Sequence, residues 1–124
     1  GLAENGWVAV DRGNLLTPFP DVYAVGDVVG LPMAKAGVFA ENAAGVVADD
    51  IAARLRGETP ARRYEGEGNC YIEFGGGRVA KVEANFLGGP APRARVVGPS
   101  EALAAEKETF ASVRRARWFG ASPG

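Results

Sequence analysis

The join between a short apolar run and a long helix of small residues most constrains this chain. Thr17-Pro18-Phe19-Pro20-Asp21 leads into Val22-Tyr23-Ala24-Val25, which stops at Gly26-Asp27. Proline cannot donate to a central ladder, so Pro18 and Pro20 belong to the loop leading in and Val22 to Val25 is the strand. The run is continuous rather than alternating, which predicts a strand buried on both faces of a layered α/β sheet. After Gly30 and Pro32 the period becomes helical, from about Ala34 to Arg56, with Val38, Phe39, Val46, Val47, Ile51 and Leu55 on one apolar face. Ala36, Gly37, Ala40, Ala43, Ala44 and Gly45 keep this helix thin enough for another backbone to approach closely. Arg54 and Arg56 suit the negative end of its dipole, and Gly57 stops it.

The flanking segments read more simply. Trp7 to Val10 is a short strand ended by the turn-prone Asp11, Arg12, Gly13 and Asn14. Glu58 to Gly68 is polar, contains Pro60 and reads as a connecting loop. Cys70, Ile72 and Phe74 share one side of a strand, Gly75 to Gly77 turn, and Ala80, Val82, Ala84 and Phe86 share one side of the return strand. Lys81, Glu83 and Asn85 point the other way, so the hairpin is expected to have one wet face. Gly88 to Pro99, with prolines 90, 92 and 99, is expected to cross as a loop to a final helix. Ser100 and Glu101 open that helix, and Leu103, Phe110 and Val113 mark its apolar side. The fold class is α+β: short strands and a long helix in residues 1–57, the end of an α/β domain, then a β-hairpin and C-terminal helix forming a small α+β domain in residues 58–124.

Composition excludes several functions. A net charge of −1 gives no pull toward nucleic acid. The absence of histidine removes the usual general base and the commonest metal ligand, and no metal site is expected. The single cysteine, Cys70, can form no disulfide within the chain and suits a reducing compartment. No run approaches the roughly 18 apolar residues of a membrane span, and the N-terminus lacks a signal pattern, so a cytoplasmic protein is expected. Glycine, 18 of 124 residues, is about twice its usual share, which calls for tight turns or close backbone approach.

The stretch T-P-F-P-D-V-Y-A-V-G-D at positions 17–27 resembles the T-x-x-P-x-V-Y-A-x-G-D signature near the end of the FAD-binding domain in the pyridine nucleotide-disulfide oxidoreductase superfamily. The continuation P-M-A-K-A-G-V-F-A-E at positions 32–41 resembles the P-x-x-K-x-G-x-x-x-E segment of sulfide:quinone reductases and flavocytochrome c sulfide dehydrogenases. The resemblance implies that Gly26 lets the backbone meet an FAD cofactor and that Asp27 accepts a hydrogen bond from a ribityl hydroxyl. It implies that Lys35, Ala36 and Gly37 bring an ammonium and a helix start to the flavin's pyrimidine edge, where reduction places negative charge. Cys70, in G-N-C-Y-I-E-F-G, resembles the late cysteine of sulfide-oxidising relatives and is the candidate catalytic thiol; from its residues alone it reads equally as a small core side chain. Phe39, Asn69, Lys107 and Phe110 fall where these reductases place a quinone pocket.

No G-x-G-x-x-G turn is present. The resemblance therefore implies that the FAD- and NAD-type domains of a complete enzyme lie N-terminal to this portion, which alone binds FAD weakly or not at all and is inactive. Three readings stay open. One is a sulfide:quinone reductase-like flavoenzyme, peripheral to the inner membrane through Arg114, Arg115, Arg117, Trp118 and Phe119. Another is a type II NADH dehydrogenase-like reductase with a structural Cys70. The third is a non-catalytic packing or dimerisation module, forming a homodimer over the apolar face of the long helix.

Overall fold

The computed structural model describes residues 1–120. Asn5-Gly6 joins β1 (Ala3–Glu4) to β2 (Trp7–Val8) as an antiparallel hairpin, with Ala3 opposite Val8 and Glu4 opposite Trp7. Asn5 and Gly6 have φ of 52° and 83°, the positive values a two-residue hairpin turn needs to match strand twist. The expected strand over Trp7 to Val10 is shorter and ends at Val8, which pairs with Ala3 and also forms a parallel bridge with Val29. There Val8 N donates to Val28 O and Gly30 N to Val8 O, both at 2.9 Å. The turn expected after Asp11 is present, and the Asp11 carboxylate accepts from Gly13 N at 2.8 Å and Asn14 N at 3.0 Å. Those two amides hold its carboxyl below the usual carboxylate range.

Val22 to Val25 is not a doubly buried strand. Only Tyr23 pairs, antiparallel to Leu16, and Val22 is exposed. The segment is bonded along one edge, by Thr17 N to Val22 O at 2.8 Å and Ala24 N to Leu15 O at 3.1 Å, and is not part of a layered sheet. It remains an extended lead into Gly26.

Helix α1 spans Gly37–Leu55, opening three residues later than its pattern predicts. Ala36 is the N-cap, extended and without a side-chain oxygen to offer, and Lys35 lies outside the helix. The Lys35 ammonium donates to the Val29 carbonyl at 2.5 Å, which ties this segment back onto the preceding loop. Gly57, at φ 70°, ends the helix as expected. The buried stripe runs Phe39, Ala43, Val46, Asp50, Ala53, while Ile51 and Leu55 are exposed. The apolar periodicity thus misplaced the stripe's C-terminal half, because a carboxylate occupies one of its positions.

The chain forms two compact units, residues 1–68 with 84–94, and residues 69–83 with 95 onward. Residues 58–68 and 84–94, placed by the sequence in a second domain, lie in the first unit. The first unit's core gathers Leu15, Ala43, Val46, Tyr64 and Leu87, with Val25, Met33 and Phe86 packed around them. Tyr64 donates its hydroxyl to the Phe39 carbonyl at 3.1 Å, and burial pushes that phenol up to about 12. The protonated form is the one the fold stabilises. Stability from Tyr64 is therefore full below its ordinary value of 10.0 and falls as pH rises toward about 12. Tyr64→Phe should remove this alkaline slope and cost about 1–2 kcal/mol at neutral pH, both read from denaturant melts.

In the second unit, β3 (Glu67–Glu73), β4 (Val79–Asn85) and β5 (Arg93–Ser100) form one sheet in the order β3-β4-β5. The β3-β4 hairpin is the expected one, turning through Gly75, Gly76 and Gly77, all at positive φ. The segment expected as a crossing loop is instead strand β5. It lies at the sheet's edge, where a strand tolerates proline. Helix α2 (Glu101–Phe119) opens as predicted, with Ser100 Oγ accepting from Leu103 N at 3.3 Å.

Helix α2 covers the side of the hairpin that was expected to be wet, while on the apolar side Ala80 is fully buried and Ile72 and Phe74 are exposed. Helix α2 meets the polar side: Tyr71 donates to Glu106 at 2.7 Å, Lys81 pairs with Glu106 at 2.7 Å, and Lys107 pairs with Glu73. Ile72 and Phe74 on the other side are 47% and 57% exposed, and Val113 of α2 is exposed as well. Leu103 is the helix's buried side chain, so ion pairs supply contacts that an apolar stripe supplies elsewhere. Lys107 lowers the Glu73 carboxyl, Arg95 and Lys81 lower Glu83, and Lys81 and Tyr71 lower Glu106. Depressed values in the fold mean stability that is present above the ordinary carboxylate range and lost as pH falls through the depressed ones. Protection of α2 amides, corrected for the intrinsic pH dependence of exchange, should accordingly fall in acid and in high salt, while protection in α1 holds.

Candidate functional site

The lead from Val22 delivers Gly26 and Asp27 to the start of α1. Gly26, Asp27, Lys35, Ala36, Phe39 and Tyr64 help line one cavity there, of about 10 Å³, room for a single water molecule. Gly26 has φ of 85°, a conformation that side chains resist. The Asp27 carboxylate is exposed, and among the described residues nothing bonds it. At the helix start, Phe39 N and Ala40 N already reach back to Ala36 O, at 3.0 and 3.3 Å. The amides of Gly37 and Val38 have no intrahelical partner, no side chain caps them, and no acid sits in the first turn. This helix start favours negative charge, and the carboxylate beside it accepts hydrogen bonds.

The sequence-predicted residues fall into two groups. Gly26, Asp27, Lys35, Ala36, Gly37 and Phe39 come together in the first unit. Lys35 is not a free ammonium: it bonds Val29 O and lies 4.7 Å from the Trp7 ring centroid, a cation–π contact that pins β2 to this loop. Phe39 is buried and meets Phe86 edge-on at 5.5 Å, so its ring is a core element. Cys70, Asn69, Lys107 and Phe110 lie in the second unit. Cys70 is a free thiol, half-buried like Asn69 beside it on β3. Lys107 is paired to Glu73, and the Phe110 ring packs against Tyr71 at 5.4 Å under the Arg114 guanidinium.

One cluster was missed. Asp50, buried on α1, accepts from Tyr23 and, at 2.6 Å, from Arg54 Nε. Burial, then the Asp50 carboxylate, raise the Tyr23 phenol above its ordinary value. The visible signal was an aspartate pair, Asp49-Asp50, in the middle of an otherwise apolar helix.

No family model matches the chain. Against curated proteins, it is 27% identical over 86 residues to the mitochondrial sulfide:quinone oxidoreductase of Mus musculus, a match covering 68% of this chain and 19% of that protein. It is 32% identical over 85 residues to the mitochondrial sulfide:quinone oxidoreductase of Schizosaccharomyces pombe, covering 68% of this chain and 18% of that one. The chain spans about a fifth of the length of these relatives. A chain in the cryo-EM structure of the Tetrahymena thermophila mitochondrial ATP synthase aligns with a TM-score of 0.62 and 24% identity, over 72% of this chain and 22% of that one. At that identity the likeness speaks for the fold alone.

Both curated matches fall in one family. That family is the sulfide:quinone oxidoreductases, to which this chain is related at the family level.

Proposed function

We propose that the chain is the flavin-edge portion of an FAD-dependent oxidoreductase of the sulfide:quinone reductase kind. One observation carries this reading: Gly26 at positive φ, the unpartnered Asp27 carboxylate and the uncapped start of α1 converge on one cavity. Matches to two sulfide:quinone oxidoreductases over the same share of the chain support it. Bound there, FAD would supply the electron-transfer chemistry. The residues present fit the edge of such a group and not its body, because the cavity has room for one water and the sequence has no G-x-G-x-x-G turn for a pyrophosphate.

In this reading Asp27 accepts from a hydroxyl of the cofactor, and Gly26 allows the backbone to lie against it. The Gly37 and Val38 amides donate toward the atoms that gain negative charge on reduction. Lys35 adds cationic field from where the Val29 carbonyl holds it. Cys70 is the thiol assigned to the sulfur donor, and Asn69, Lys107 and Phe110 are assigned to the quinone. The test is flavin mononucleotide titrated to millimolar concentration while amide resonances are followed. Shifts are expected at Gly26, Asp27, Ala36 and Gly37, and Asp27→Ala should abolish them. Shifts scattered over the surface, or none, would overturn the reading. A sub-micromolar FAD site in calorimetry would overturn the proposal that the chain holds only part of the binding site.

The same reading gives α2 a membrane-facing end. Trp118 and Phe119 are exposed beside Arg115 and Arg117, chemistry suited to an anionic headgroup layer. Among the described residues no helix is long and apolar enough to cross a membrane. The chain should cosediment with phosphatidylglycerol vesicles at low salt, and much less with phosphatidylcholine vesicles. Equal binding to both would count against the proposal.

A further inference from the structure

The lead segment that carries Gly26 and Asp27 is bonded along one edge only, to Leu15 and Thr17. A segment held that way can pivot. One side-chain contact with α1 opposes this. At one end the Tyr23 hydroxyl donates to Asp50 Oδ2. At the other end Gly26 approaches the helix without a side chain to hold it, since a Cβ added there would stand 3.7 Å from Ala40 Cβ. Ala40 and Asp50 are ten residues apart on the helix, about 15 Å at 1.5 Å per residue. The segment from Tyr23 to Gly26 therefore runs along α1 and is tethered to it at Tyr23.

Asp50 is an expensive way to make the far contact. Its side chain is 3% exposed, and a carboxylate in an apolar stripe carries a desolvation cost that alanine or leucine would not. Arg54, one turn on and 45% exposed, offsets the charge through Nε at 2.6 Å. What the carboxylate adds over an apolar side chain is direction, because a hydrogen bond fixes the position of the Tyr23 ring along the helix and packing alone does not.

We propose that Tyr23 and Asp50 are positioning residues: their bond fixes where the lead segment sits along α1, and so sets Gly26 and Asp27 against the helix start. The inference rests on the flavin-edge reading of that cavity. The test has two readouts. Amide hydrogen exchange of this chain should show Tyr23→Phe raising exchange at Ala24 and Val29 about tenfold, with amides in the middle of α1 unchanged. Asp50→Ala should open the same amides, and the double variant should add little to either, as expected of one shared bond. Tyr23→Phe should also demand several-fold more flavin mononucleotide to shift Gly26 and Asp27. Unchanged exchange, or equal rises in the lead and in α1, would overturn the tether. Local opening with an unaltered flavin response would overturn its positioning role. A native chain in which flavin moves no resonance would instead sink the flavin-edge reading, and the exchange pattern would still decide the tether.

Discussion

Replacing Leu15 by alanine should lower the free energy of unfolding by about 2–5 kcal/mol and the melting temperature by roughly 10–20 °C. Leu15 is 0% exposed and sits at the centre of the first unit's core. Its backbone has φ of 65°, a region that costs a non-glycine residue about 1–2 kcal/mol. The chain keeps leucine there because burying the side chain contributes about as much or more, near 1.5–3 kcal/mol in transfer alone, before the cavity its loss would leave. That balance reverses the usual ranking of small residues. Alanine loses the side chain and retains the strain, whereas glycine loses the side chain and relieves it. Leu15→Gly should therefore melt higher than Leu15→Ala, although glycine is ordinarily the worse choice on entropic grounds. Urea melts of the two variants check this, and an alanine variant more stable than the glycine one would show that Leu15 is not strained.

How much of this was legible in the sequence depended on whether local chemistry or tertiary partners decided the outcome. Ser100 capping α2, Gly57 closing α1 and the Gly75 to Gly77 turn were readable because each is a local requirement of backbone geometry. Strand β5 was not, because Pro99 and Gly98 argue against a strand unless it is known to lie at an edge. The Asn5-Gly6 turn was readable and was passed over, since its strands are only two residues each.

The covering of the hairpin's polar side by α2 has a different cause. Alternation in β3 and β4 correctly separated the two sides of the hairpin, but it assumed that the apolar side is the covered one. Lys81, Glu73 and Tyr71 find partners in Glu106 and Lys107 on α2, and that pairing decides which side the helix covers. In the candidate site, the eleven-residue motif placed Gly26 and Asp27 just past an extended segment, as they are found, whereas the helix opens three residues later than its pattern predicts. The role of Lys35 was not legible: a sequence shows a charge, and only the fold shows that the Val29 carbonyl and the Trp7 ring already hold it. Asp50 was hidden for the same reason, as a charged residue in an apolar stripe is understood only once Tyr23 is seen to reach it.

Gly26→Val should abolish the response of Asp27 to flavin and cost about 1–3 kcal/mol of stability, while leaving the α1 amides protected. Space is not the obstacle, since the nearest atom to a Cβ at Gly26 is Ala40 Cβ at 3.7 Å. Conformation is: at φ of 85° a β-branched residue is strained whatever surrounds it. The strain is relieved by rotating the Gly26-Asp27 peptide, which breaks the 3.3 Å bond from Val29 N to Gly26 O and swings the carboxylate away from the helix start. Gly37 supplies the contrast. A Cβ there meets nothing within 4 Å and its φ is not positive, so Gly37→Ala should raise stability by about 0.4–1 kcal/mol. Any loss of flavin response in Gly37→Ala must then come from the ligand meeting the new methyl and not from damage to the fold. A weakened response in a more stable Gly37→Ala variant, beside an abolished one in Gly26→Val, would place the flavin edge against the first turn of α1. An undiminished response in both would mean that the flavin binds elsewhere on the chain.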